Sequence, residues 1–115
     1  MFDFQNLEVY KKAKNFHSDS KQILSNGKFG RIVNDQLSRA SFSIVLNIAE
    51  GSGRFSKLDR RNFFVIARSS VFECVAVLDV LKDEKLVDET VFKEFLLKAD
   101  ELSRILYAMI RNLSS

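Results

Sequence analysis

The 115-residue chain contains no proline, so nothing in it forces a helix to kink or stop. Glycine is scarce too: Gly27, Gly30, Gly51 and Gly53 fall in two short clusters, where helices are expected to end. The single cysteine, Cys74, excludes an intrachain disulfide and points to a reducing compartment. The single histidine, His17, has no cysteine or acid at a ligand-like spacing, so it reads as a packing or boundary residue. No metal and no cofactor is expected. No stretch reaches the roughly 18 apolar residues of a membrane span, and Met1 to Gln5 has neither a basic leader nor an apolar run. The expected location is the cytoplasm, without membrane association.

What is present belongs to an ordinary globular protein: 29% charged and 46% apolar residues. The length sets one domain, residues 1–115, with room for one real core. The net charge of +3 is mild, but its distribution is uneven. Arg54, Lys57, Arg60, Arg61 and Arg68 crowd one stretch against Asp59, whereas acids outnumber lysines between Asp79 and Glu94.

Hydrophobic period then divides the chain into four helices. The first is expected from Phe4 to Ser25, capped by Asp3 or Asn6, with Val9, Ala13, Phe16, Ser20, Ile23 and Leu24 inward. The second is expected from Arg31 to Glu50 and is apolar on two arcs. Val33, Leu37, Ala40, Ile44 and Ile48 form one; Phe42, Val45, Leu46 and Ala49 form the other. Gly51 to Phe55 closes this helix as a glycine cap and turn. Its G-x-G lacks the preceding strand, third glycine and lysine–serine pair of a phosphate loop. The third helix opens at a Ser56-x-x-Asp59 cap and runs to about Leu81 or Lys82. It is again two-sided, with Phe63, Ile66, Ala67, Ser70, Cys74, Val77, Leu78 and Leu81 on one side and Val65, Phe72 and Ala76 on the other. The fourth is expected from an Asp88 cap, with a Val87–Phe92 staple, to about Asn112. Its inner arc is Phe92, Phe95, Leu96, Ala99, Leu102, Leu106, Ile110 and Leu113. These helices with short connections predict an all-α, antiparallel up-down-up-down four-helix bundle.

Two features go beyond fold. The outer arcs of the second and third helices exceed what one small bundle can hide, so Phe42, Val45, Leu46, Ala49, Val65, Phe72 and Ala76 are expected to meet another copy or another protein. A polar stripe of Gln36, Arg39, Ser43, Asn47 and Glu50, with Glu73 from the third helix in reach of Arg39, is expected to be a hydrogen-bond network fixing register. An enzyme would have only Glu50 and Glu73 with Asn47 and Arg39 to work with, no histidine stands beside them, and the structural explanation is the better one, so no catalytic function is expected.

The run Gln36-Leu37-Ser38-Arg39-Ala40, Ser43, Asn47-Ile48-Ala49-Glu50-Gly51 and Gly53-Arg54, then Phe63 or Phe64, Ala67, Ser69 and Glu73, resembles the bacterial 23S ribosomal RNA intervening-sequence proteins. The opening Phe4 to Ala13 is also similar, and the last quarter matches by helical pattern alone. The resemblance implies a four-helix bundle assembled as a ring-shaped homopentamer without assigned enzymatic activity. Some family members are encoded within insertions in the large ribosomal RNA gene. The related accessory proteins of diversity-generating retroelements, as a basic pentamer, bind nucleic acid and a reverse transcriptase.

The resulting expectation is a homo-oligomeric assembly protein whose ring gathers Arg54, Lys57, Arg60, Arg61 and Arg68 into a surface for RNA or DNA. Lacking a basic motif interleaved with aromatics, such binding would carry little sequence specificity. The alternative is a scaffold partnered by a protein encoded nearby, with the charges serving solubility.

Overall fold

The computed structural model describes residues 2–114. A short 3-10 turn, Asp3–Asn6, precedes four helices: α1, Glu8–Asn26; α2, Gly30–Ser52; α3, Lys57–Asp83; and α4, Glu89–Asn112. Each helix packs on its neighbours in the chain, and α1 also packs on α4, so the four close an antiparallel square measuring 44 × 27 × 22 Å. The α1–α2 side and the α3–α4 side therefore lie opposite one another.

Local chemistry accounts for most of the boundaries. Ser56 Oγ accepts the Asp59 amide at 3.0 Å and Asp88 Oδ1 accepts the Val91 amide at 2.8 Å, the caps expected for α3 and α4. The start of α1 differs from expectation. Leu7 is extended, with ψ 131°, and neither Asp3 nor Asn6 caps the helix; Phe4 belongs to the separate 3-10 turn. Gly51 also differs. It lies buried inside α2, which continues to Ser52 with Gly53 as its cap residue. The α3–α4 connection closes without glycine. Leu86 donates to the Leu81 carbonyl and Lys85 to the Lys82 carbonyl, both at 2.9 Å, placing Lys85 in the left-handed region with φ 61°.

The core runs the length of the square. Phe16 and Phe95 meet across α1 and α4 with ring centroids 4.6 Å apart, and Leu37, Ile44, Ile48, Leu78, Leu102 and Leu106 are fully buried around them. The inward face of α3 is rotated from expectation: Phe64 and Val71 are core residues, whereas Ile66 is 48% exposed. Close packing of Phe64 on Gly51 turns this face toward α2. Lys98 pairs with Asp19 and Lys12 with Glu101, fastening α4 to α1 along the solvent edge. Among the described residues, no buried side-chain nitrogen or oxygen lacks a hydrogen-bond partner.

Candidate functional site

The outer apolar residues fall on two separate faces. On α2, Phe42 and Leu46 are 48% and 46% exposed, one turn apart, with Ala49 half-buried a turn further on. Phe42 borders the cleft between α1 and α2, beside His17, Lys21, Asp35, Ser38 and Arg39. On the opposite side, Phe72 is 55% exposed and joins Val71, Val75, Leu96, Leu97 and Ala99 in a groove of about 640 Å³ between α3 and α4. Lys93, Asp100 and Ser103 complete its lining. Val65 continues the α3 side of this surface, and Ala76 is also exposed on α3.

Two residues trade places relative to the sequence pattern. Val45, expected in the outer arc, is only 6% exposed and belongs to the chain's own core. Leu96, expected inside, opens onto the α3–α4 groove. Helix rotation of a few tens of degrees decides both, and no wheel drawn from sequence alone resolves it.

The polar stripe is brought together only in its middle. Asn47 Nδ2 donates to the Ser43 carbonyl at 2.8 Å and to Ser43 Oγ at 3.0 Å, while Ser70 Oγ donates to Ser43 Oγ at 3.1 Å across α2 and α3. Glu50 pairs instead with Arg54 at 3.7 Å. Gln36, Arg39 and Glu73 point outward, and among the described residues they make no side-chain hydrogen bond or ion pair. The expected Arg39–Glu73 contact is therefore not made within one chain, because both side chains face solvent.

His17 carries a different role. Its Nδ1 lies 2.7 Å from Ser41 Oγ, and Ser41 in turn donates to the Ser38 carbonyl at 3.3 Å. The tautomer that satisfies both contacts protonates Nδ1 and leaves Nε2 free. Burial, and then the Lys21 ammonium, hold the imidazole below its ordinary value of 6.5. The histidine–serine pair offers no nucleophile, since Ser41 is wholly buried and its proton is engaged. Burial, and then the Glu73 charge, push the Cys74 thiol up to about 12, which withholds the thiolate that reactivity requires. Among the described residues no group of three His, Cys, Asp or Glu side chains gathers to hold a metal ion. Among the described residues no helix is long and apolar enough to cross a membrane.

Four of the five clustered cations have work inside the chain. Arg60 Nε donates to the Arg54 carbonyl at 2.8 Å and its Nη2 to the Ser52 carbonyl at 3.4 Å, satisfying the end of α2. Arg61 donates to Ser114 Oγ at 2.9 Å. Arg68 donates to the Ser103 carbonyl at 3.2 Å and lies over the Phe72 and Tyr107 rings. Arg54 rests on the Phe63 ring, 4.7 Å from its centroid, besides pairing with Glu50. Lys57 has no side-chain hydrogen bond or ion pair among the described residues.

The sequence pattern missed one prominent residue. Phe55, at the α2–α3 turn between Arg54 and Lys57, is fully exposed at 103%. Leu58, 62% exposed, stands one turn further on. Alternation of cation and aromatic over Arg54 to Lys57 was the available signal, hidden because a turn phenylalanine resembles one that folds back onto the core.

Fold and surface together define a class: an antiparallel four-helix bundle with apolar faces left open on opposite sides and no recognisable reaction centre among its described residues. Residues 5–108 match the family described as 23S rRNA-intervening sequence protein. The chain belongs to that family. Its structure is similar to the crystal structure of a protein of unknown function from the S23 ribosomal protein family of Bacteroides thetaiotaomicron, with TM-score 0.83 and 22% identity over 89% of this chain and 97% of that one. At that identity the likeness concerns the fold. No curated protein matches.

Proposed function

We propose that the chain is a non-catalytic assembly protein: copies join side by side, the α2 face of one entering the α3–α4 groove of the next, and the closed ring offers its basic end to RNA or DNA. The observation that carries this reading is the non-equivalence of the two apolar faces. A patch that meets its own twin closes a dimer; two unlike patches on opposite sides leave one free at each end, and the chain of contacts closes as a ring or continues as a fibre. Five copies is the number the family resemblance implies. Covering Phe42, Leu46, Phe72 and Leu97 removes large apolar area from water, worth up to roughly 1.5–3 kcal/mol for each side chain fully buried.

Light scattering on dilute protein tests the assembly. Phe42→Glu and Phe72→Glu are each expected to reduce the oligomer to monomers. An equimolar mixture is expected to give dimers and nothing larger, because each variant keeps the face the other has lost. A monomeric wild-type protein ends this reading. The nucleic-acid half is supported by Arg54 and Lys57 at the turn, and gel mobility at about 50 and about 200 mM salt checks it, since phosphate-driven binding weakens steeply with salt.

A further inference from the structure

The α2–α3 turn joins three features found together nowhere else on the described surface: a phenylalanine ring fully in water, a cation on each side of it, and a place at the end of the bundle. Folding does not explain Phe55, which at 103% exposure gives up none of its surface to the chain's own core. Lateral assembly does not explain it either. The faces proposed to join are on the sides of the square, whereas the turn projects beyond the ends of α2 and α3, where side-by-side neighbours leave it open.

We infer that this turn is a contact for single-stranded nucleic acid, with Phe55 as the platform on which an unpaired base stacks and Arg54 and Lys57 as the cations that hold its flanking phosphates. The inference rests on the nucleic-acid half of the function proposed above and names the class of nucleic acid and the residue that selects it. Stacking on an aromatic ring requires a base released from a duplex, and it tolerates any sequence because every base has a flat face. The ring sits in sequence between the two cations. The Lys57 ammonium is unengaged among the described residues; Arg54 is held across the Phe63 ring with its guanidinium at the surface. The acids nearby are Glu50, Asp59 and Asp3, the last of which lines a cavity with Ser52, Gly53 and Arg60. Glu50 is already paired with Arg54, and Asp59 follows the turn within α3, its amide bound to Ser56. Arg60 contributes no charge-paired contact here, since its donors go to the Ser52 and Arg54 carbonyls; those bonds brace the turn that carries Phe55.

An apolar ring flanked by cations also suits an anionic lipid surface. Single-stranded nucleic acid is favoured because one aromatic ring stands at the tip at 103% exposure, while the further exposed apolar groups at this end, Leu58 on α3 and Phe2 and Leu7 beside Gly53, belong to separate segments rather than to one aliphatic cluster. In a ring of copies the turn recurs once per subunit on one rim, so a flexible strand can engage several tips in succession.

Fluorescence anisotropy with a labelled oligothymidine and with a blunt duplex of equal length, using the assembled wild-type protein, Phe55→Ala and Lys57→Gln, separates the outcomes. Phe55 makes no packing contact to lose, so Phe55→Ala is expected to keep the wild-type melting temperature and oligomer size. It should weaken single-strand binding at least roughly fivefold, the low end for a base stack, while duplex binding stays within error. Lys57→Gln should weaken both and flatten the salt dependence. If the wild-type protein binds neither probe at low salt, the nucleic-acid reading above falls. If it binds them but Phe55→Ala loses nothing, or loses both equally, that reading stands and the stacking inference is overturned. Sedimentation with phosphatidylcholine–phosphatidylserine vesicles completes the set: Phe55-dependent vesicle binding by a protein indifferent to oligothymidine assigns the turn to a membrane surface and also overturns it.

Discussion

Gly51 lies so close to Phe64 that a Cβ on it would fall 2.7 Å from ring atom Cε1, and 3.0 Å from Phe63 Cβ. Phe64 is buried and its ring borders a cavity at the bundle end, but Phe63 Cβ is fixed to the α3 backbone and cannot swing aside. Two effects therefore oppose each other in Gly51→Ala. Alanine gains up to about 1 kcal/mol of helix propensity, but overpacking against a buried ring costs roughly 1–3 kcal/mol. We expect a net loss, read as a lower thermal midpoint at fixed protein concentration. Adding Phe64→Leu should recover part of it, because the two residues share one contact. A more stable Gly51→Ala protein would contradict this packing.

Lys85 occupies the left-handed position of the α3 cap at φ 61°, a conformation costing a side chain roughly 1–2 kcal/mol. Glycine removes that strain but gives back about 0.5–1 kcal/mol through the freedom it adds to the unfolded chain. Lys85→Gly is expected to raise the urea midpoint by the equivalent of roughly 0.5–1 kcal/mol with an unchanged slope. A lowered midpoint would mean that the turn is not closed by the Leu86–Leu81 bond described above.

His17 links stability to pH. In the unfolded chain the imidazole takes up a proton near 6.5, whereas in the folded chain burial and Lys21 delay protonation to lower pH. Between those two values the unfolded state binds more protons, so stability falls as pH drops from 6.5 toward the folded value and then levels off. The charged and titratable groups around the ring are Lys21 on its own helix and Asp35 and Arg39 on α2. Comparing melting at about pH 7.5 and about pH 5 in the wild type and in His17→Gln isolates this contribution. The wild type should lose more on acidification than the variant; equal losses would place the effect on other groups.

Much of the architecture was legible from local chemistry. Ser56 and Asp88 announce α3 and α4 because a cap is a contact between residues three apart and needs no tertiary information. The inward arc of α1 was equally plain: Val9, Ala13, Phe16 and Ser20 are all buried. The helix breaks that misled depend on shape instead. Gly51 looked like a terminator, because a glycine that ends a helix and one that admits a neighbouring ring are the same letter.

The surface was legible only in part. That α2 and α3 carry more apolar residues than one bundle can cover follows from composition and period alone. Which of them remain outside was decided by rotation of packed helices, which took Val45 and Phe64 inward and turned Ile66 and Leu96 out. The cations divide in the same way. Sequence places five within one stretch, but only folding brings the Ser52, Arg54 and Ser103 carbonyls within reach of Arg60 and Arg68 and leaves Lys57 unengaged. Sequence by itself determined the four helices, their order and the opening caps of α3 and α4, because period and capping act within a few residues. Tertiary structure decided which side chains face water, because that depends on what the other three helices have already covered.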